Sequence, residues 1–136
     1  MDKETAEYLS KYRLEKAKEA LNTSKILYKD IKDYTAANNR AYYAIFYAIK
    51  SIFALEEIDF KRHKDVIAYF NQHYIKTEIF PRKLGKQIST AQKIREDNDY
   101  DDKFKVSIEK TEQQIETAEE VVRTIEKYIN SKLKKD

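Results

Sequence analysis

Cysteine is absent from this 136-residue chain, and glycine and proline occur once each, as Gly85 and Pro81. Disulfides and thiolate chemistry are thereby excluded. So few turn formers cannot build the many tight turns of a β protein. One glycine cannot furnish a Gly-x-Gly-x-x-Gly or Walker loop, nor a Gly-x-Ser-x-Gly nucleophile elbow. No run approaches the roughly 18 apolar residues of a membrane span. The leading segment MDKETAEYLSKYR has no apolar core of a secretory signal. A cytoplasmic protein without a cofactor is expected.

What is there in quantity is charge and aliphatic surface. Apolar residues make up 41% and charged residues 38%, a mixture suited to amphipathic helices. The length fits one domain able to bury a core unaided. The expected fold class is all-α, an up-and-down bundle of four to five helices spanning residues 1–136.

Periodicity predicts a first helix over 4–30, with Leu14, Ala17, Leu21, Ser24 and Tyr28 on its inner face. A second, over 35–57, is apolar nearly all round from Ala41 to Leu55, broken only by Lys50 and Ser51. Such a helix belongs at the centre of a bundle. Its Ala37, Ala41, Ala44 and Ala48 would let a neighbour approach closely. A third is expected over 63–76. A fourth follows Pro81 and ends near Arg95, and a last runs over about 103–133. In the last, Ile108, Thr111, Ile115, Ala118, Val122, Ile125 and Ile129 form a seam of alternating three and four steps. Packing within the chain is the expectation for that seam.

The net charge of +3 is mild, but its distribution is not. Residues 61–95 hold nine Lys/Arg against Asp65 and Glu78, and residues 96–126 hold eleven Asp/Glu against four Lys/Arg. These blocks, +7 and −7, could pair within the fold, pair between protomers, or serve an anionic ligand. Asp97, Asp99 and Asp101 have the alternation that opens an EF-hand loop. Asp102 and Ile108 stand where that loop needs its glycine and its bidentate glutamate. No dedicated metal site is expected. The two histidines, His63 and His73, lack any His/Glu partner at zinc-helix spacing. Of eleven tyrosines, four fall within Tyr34–Tyr47. Their place in the most apolar helix favours core packing over base stacking.

Three segments together resemble the HEPN superfamily: NNRAYYAIFYAIKSIFAL (38–55), KRHKDVIAYFNQHYIKTEIFPRKLGKQI (61–88) and REDNDYDD (95–102). The likeness extends over about residues 5–130. It is to stand-alone prokaryotic members, often found beside small MNT-type nucleotidyltransferases. The resemblance implies a bundle that commonly dimerises and, in many members, metal-independent RNA cleavage. The family signature is an arginine followed, after four to six residues, by a histidine. The guanidinium steadies phosphate charge while the imidazole moves a proton. No arginine in this chain is so followed; Arg95 stands at the matching place, with Tyr100 where the histidine belongs. A tyrosine, with a pKa of about 10, is a poor base at neutral pH.

The resemblance therefore implies Arg95 and Tyr100 as the catalytic pair of a degenerate motif, with Arg40, Arg62, His63 and Asp99 as ligand-binding candidates. His63 or His73 could restore the missing function by approaching Arg95 in space or from a partner subunit. Alternatively, Tyr100 could accept a modification from a nucleotidyltransferase partner. Three readings stand open. One is a toxin–antitoxin-like homodimer binding RNA, a nucleotide or a partner protein. The others are an active endoribonuclease and a structural interaction module.

Overall fold

A computed structural model describes residues 2–100 and 107–133 of the chain, with the side chains of Asp99 and Tyr100 outside the description. Among the described residues there are five α-helices, two short π-helical turns and no strand. The helices are α1 (Lys3–Ile26), α2 (Tyr34–Glu56), α3 (His63–Phe70), α4 (Arg82–Tyr100) and α5 (Ile108–Leu133).

Helix starts follow from capping. Asp2 accepts the Thr5 amide at 2.8 Å and Asp33 accepts the Ala36 amide at 3.1 Å. Ser107 Oγ accepts the Lys110 amide at 3.0 Å. Each satisfies an amide that the first helical turn leaves without a partner. Helix ends are more unusual, because glycine is scarce. Lys32, Glu57 and Glu78 take the left-handed conformation, with φ of 62°, 58° and 63°, where glycine would relieve the Cβ clash.

The central place expected for the second helix is where α2 sits, in contact with α1, α3, α4 and α5. Ala37, Ala41, Ala44 and Ala48 are fully buried, as are Ala17, Ser10 and Ser24 on α1. These small side chains let the two helix backbones come close, and Ser24 Oγ donates to Ala37 O at 2.5 Å. The α5 seam faces inward on α1, α2 and α4: Thr111, Ile115, Ala118, Val122, Ile125 and Ile129 are all buried. Ile108, its first expected member, is instead about half exposed.

Two helices end in a different hydrogen-bonding pattern, and one boundary differs from the sequence expectation. The first and third helices finish in π-helical turns, Leu27–Ile31 and Asn71–Ile75. The stretch REDNDY is not a connection behind α4 but its last turns, since α4 continues to Tyr100. No glycine or proline intervenes to stop it there. The expected start of the last helix near 103 falls outside the described residues, and α5 is helical from Ile108.

The position of α4 matters most for the site. Gln114 of α5, only 1% exposed, donates from Nε2 to Ala91 O at 2.9 Å and to Asn38 Oδ1 of α2 at 3.4 Å. One buried amide thus ties three helices together, one turn before Arg95.

Candidate functional site

The segment Lys61–Lys64 leads from α2 into α3, and α3 begins at His63. It faces the Arg95 turn of α4 across an open pocket of about 340 Å³. Tyr42, Lys61, Arg62, His63, Lys64, Gln92, Arg95 and Glu96 line it. Four of the eight are permanent cations, against one carboxylate.

Tyr42 forms the floor. It is fully buried on α2, and its ring neighbours both groups of chemical interest. The Arg95 guanidinium carbon stands 5.4 Å from its centroid, within the range of a cation–π contact. The His63 ring is also a neighbour of Tyr42, with centroids 5.9 Å apart and planes inclined by 23°. Phe46 stacks more closely on His63, at 4.0 Å and 26°. Tyr43 meets the same imidazole edge-on at 5.8 Å.

This aromatic box determines the state of the imidazole. Nδ1 of His63 is shut off from solvent and has no hydrogen-bond partner among the described residues. That leaves Nε2 as the nitrogen available to a ligand. Burial first, then the positive charges of Arg95 and Lys50, push its pKa below the usual histidine value. Both causes penalise the protonated form. His63 is therefore a neutral imidazole at pH 7, able to take a proton. Lys50 is held beside it by an ion pair with Asp59, whose carboxyl that lysine and the Phe60 amide hold below the ordinary range.

The structure brings three of the sequence-nominated residues together, namely Arg62, His63 and Arg95. Arg40 does not line the pocket; it lies over the Tyr43 ring, 4.7 Å from the centroid. Asp99 and Tyr100 continue the α4 backbone beyond Arg95, and their side chains lie outside the described residues. His73 stands apart, stacked at 4.0 Å on Tyr69. Sequence reasoning missed Lys61, Lys64, Gln92 and Tyr42. The run Lys-Arg-His-Lys was a visible signal for the first two. Tyr42 gave none, since its burial is what makes it useful.

Of the two charge blocks, the acidic one has partners on α1: Glu126 pairs with Lys18, and Glu119 with Lys25 at 3.1 Å. No group of three or more metal-ligating side chains occurs among the described residues. Nor is any described helix long and apolar enough to cross a membrane.

Chemically, the pocket unites groups that hold an anion with a neutral proton acceptor. The class defined is an all-α bundle carrying an arginine and an imidazole from separate helices into one cationic cleft. The family model for the HEPN domain matches residues 10–128, and the chain belongs to that family. It is 31% identical over 123 residues to the "UPF0332 protein" of Thermotoga maritima, covering 90% of this chain and 92% of that one. It is likewise 31% identical over 119 residues to the "Putative toxin MJ0142" of Methanocaldococcus jannaschii, covering 88% of this chain and 80% of that one. A second protein of that organism, "Putative toxin MJ0605", is 32% identical over 87 residues, or 64% of each chain. The chain is thus a HEPN protein with toxin-named relatives.

Proposed function

We propose that this protein is a toxin-type HEPN protein that binds RNA at the Arg62–His63–Arg95 pocket and cleaves it without metal. The supporting observation is that a neutral imidazole shares a cationic pocket with Arg95, although the sequence lacks the Arg-x4-6-His signature. His63, from another helix, fills the role that Tyr100 cannot.

In this reading Arg95 and the neighbouring lysines hold the phosphodiester, and the guanidinium neutralises charge growing on its oxygens. His63 Nε2 accepts the proton of the ribose 2′-hydroxyl as that oxygen attacks phosphorus. The bond to the 5′-oxygen breaks, that oxygen takes a proton from solvent, and a 2′,3′-cyclic phosphate remains. A homodimer would set two such pockets on one RNA, and a nucleotidyltransferase partner would restrain the toxin. The toxin names printed for relatives support a restraining partner, and the homodimer and the nucleotidyltransferase are what the family resemblance implies.

Single-stranded RNA incubated with purified protein in EDTA tests it. Expected are cyclic-phosphate products, with the rate reduced about 10²–10³-fold in Arg95→Ala and at least as much in His63→Asn. Binding retained without cleavage in wild type would favour the other reading, a ligand-binding protein with a degenerate motif. Cleavage unchanged in both variants would remove the pocket from consideration.

A further inference from the structure

The cleft between α3 and α4 that holds Arg95 does not stop at its pocket. A second open hollow, of about 640 Å³, lies farther along α4, where that helix packs on the π-helical turn Asn71–Ile75. Lys76, Arg82 and Lys86 line it with the hydroxyl side chains of Ser89 and Thr90, and no carboxylate does. Helical spacing puts the two hollows on one line. On α4, Gly85 and Ser89 line the second hollow while Gln92 and Glu96 line the first, in steps of four, three and four. On α3 and the turn after it, Lys64 lines the first while Asn71 and Ile75 line the second, with Ala68 between. Ala68 and Ser89, at the middle, are small and exposed, so neither wall puts a bulky side chain across the cleft there.

The charges along this cleft differ from those elsewhere on the bundle. Lys18 and Lys25 of α1 face Glu126 and Glu119 of α5. Lys76 and Lys86 have no carboxylate partner among the described residues. Arg82 meets Glu78 at 4.0 Å with both side chains exposed, a contact that solvent leaves weak. Gly85 helps to gather these cations. A Cβ there would meet Ile75 Cγ2 at 2.8 Å, so its absence lets α4 close on the turn and bring Lys86 and Lys76 to one hollow. Cations beside hydroxyl donors suit the phosphate oxygens of a nucleic-acid backbone. Lys86 lies about 13 Å from Arg95 along the helix, farther than a single phosphate reaches. A strand whose phosphate sits at Arg95 continues into the hollow without leaving the cleft. An acidic protein surface would match the charge but gives no reason for that continuity.

We infer that Lys76, Arg82 and Lys86 form a distal subsite for the backbone of the same RNA strand whose scissile phosphate Arg95 holds, so that the protein grips its substrate at two separated places. The inference rests on the RNA reading of the pocket and deepens it. The subsite stands away from the reacting atoms and so binds ground state and transition state alike. It therefore lowers KM for strands long enough to follow the cleft and leaves kcat unchanged. Very short RNAs, held at Arg95 alone, gain nothing from it.

Two 2′-O-methyl RNAs, which lack the attacking hydroxyl, test this. A dodecanucleotide is followed by fluorescence anisotropy, and a dinucleotide with one phosphodiester by NMR titration. Lys76→Gln combined with Lys86→Gln should weaken dodecanucleotide binding and flatten its salt dependence. The slope of log K against log salt should fall in magnitude by about 1.4 for two lost phosphate contacts. Dinucleotide binding should not change, whereas Arg95→Ala should weaken both. Lys11→Gln combined with Lys29→Gln removes the same charge at exposed positions of α1 and the turn that ends it, and should leave the dodecanucleotide near wild-type affinity. On cleavable RNA of that length, the cleft variant should raise KM and keep kcat. Wild-type affinity and salt slope in the cleft variant overturn the subsite while leaving the pocket standing. Equal weakening by the α1 variant also overturns it, since net charge then explains the attraction. A dinucleotide weakened as much as the dodecanucleotide overturns the separation of the two places. Dinucleotide binding indifferent to Arg95→Ala overturns the pocket reading and the inference with it. If the cleft variant changes only the oligomeric state by sedimentation, with RNA binding intact, the hollow is an interface between copies and the inference fails.

Discussion

The imidazole of His63 stacks on the ring of Phe46 with centroids 4.0 Å apart and planes inclined by 26°. This contact couples the basicity of the pocket to the folding of the bundle. An imidazole held against apolar rings and near Arg95 and Lys50 binds its proton less well than in the unfolded chain. Well above the usual histidine pKa of about 6.5 both states are neutral and the group contributes no pH dependence. As pH falls below about 6.5 the unfolded chain takes up the proton first, and stability declines until the lowered folded pKa is passed. Wild type should therefore lose melting temperature between pH 7 and 5 relative to His63→Phe, which keeps a ring but not the titration. Parallel pH curves for the two proteins would contradict the environment described for His63.

The same shift sets the acid limb of cleavage. A base must be deprotonated, so kcat/KM for RNA should fall only at a pH below about 6.5. Tyr100→Phe should leave both rate and profile within a few-fold of wild type, since a phenol of pKa about 10 contributes little base at neutral pH. An acid limb that moves or disappears in Tyr100→Phe would return the proton transfer to Tyr100.

What was legible in the sequence was whatever burial leaves as a pattern. The hub helix α2 is apolar around its circumference because neighbours cover it on several sides, and the α5 seam is regular because one face is buried. The end of α4 was illegible for the converse reason. Glu96 to Tyr100 offer no further aliphatic residue to mark helical continuation beyond Ile94. The π-helical turns change backbone pairing without changing which residues are apolar. The pocket could not be read locally at all, since His63 and Arg95 lie on different helices and both come to the Tyr42 ring. Tyr42 and Tyr43 show the limit sharply: adjacent tyrosines in one apolar run, one becomes floor and the other surface.

Gln114 should be costly to replace. Truncation in Gln114→Ala removes the donor to Asn38 Oδ1, takes from Ala91 O the bond it makes beside its helical one, and opens a cavity among three helices. A loss of about 2–4 kcal/mol is expected, or about 10 °C in melting temperature. Where folding persists, cleavage should fall as well, because Arg95 lies one turn beyond the anchored carbonyl. Denaturant unfolding and the RNA assay on the same preparation check both effects.

Lys32 offers the opposite opportunity. It ends the first π-helical turn in a left-handed conformation, φ 62° and ψ 31°, and it is exposed. Glycine removes a Cβ penalty of roughly 1–2 kcal/mol while adding unfolded-state entropy worth about 0.4–1 kcal/mol. Lys32→Gly should therefore stabilise modestly, raising the melting temperature by a few degrees. Cleavage should not change, since Lys32 is not among the residues lining the pocket.

Gly85 is the one place where the scarce glycine is needed for space rather than conformation. It lies within α4, and a Cβ built there would meet Ile75 Cγ2 at 2.8 Å and Cγ1 at 3.2 Å. Alanine gains about 1 kcal/mol of helix propensity. The overlap is with branched atoms close to the Ile75 backbone, and forcing such a fit costs about 1–3 kcal/mol. Because α4 packs on the π-helical turn there, the strain would push the two segments apart. Gly85→Ala should lower stability on balance, and the loss should be smaller in an Ile75→Ala background, where both clashing carbons are gone. A double-mutant cycle measures this directly: a favourable coupling of order 1 kcal/mol is expected between the two substitutions, and strict additivity would mean that the Gly85 contact does not limit the packing of α4.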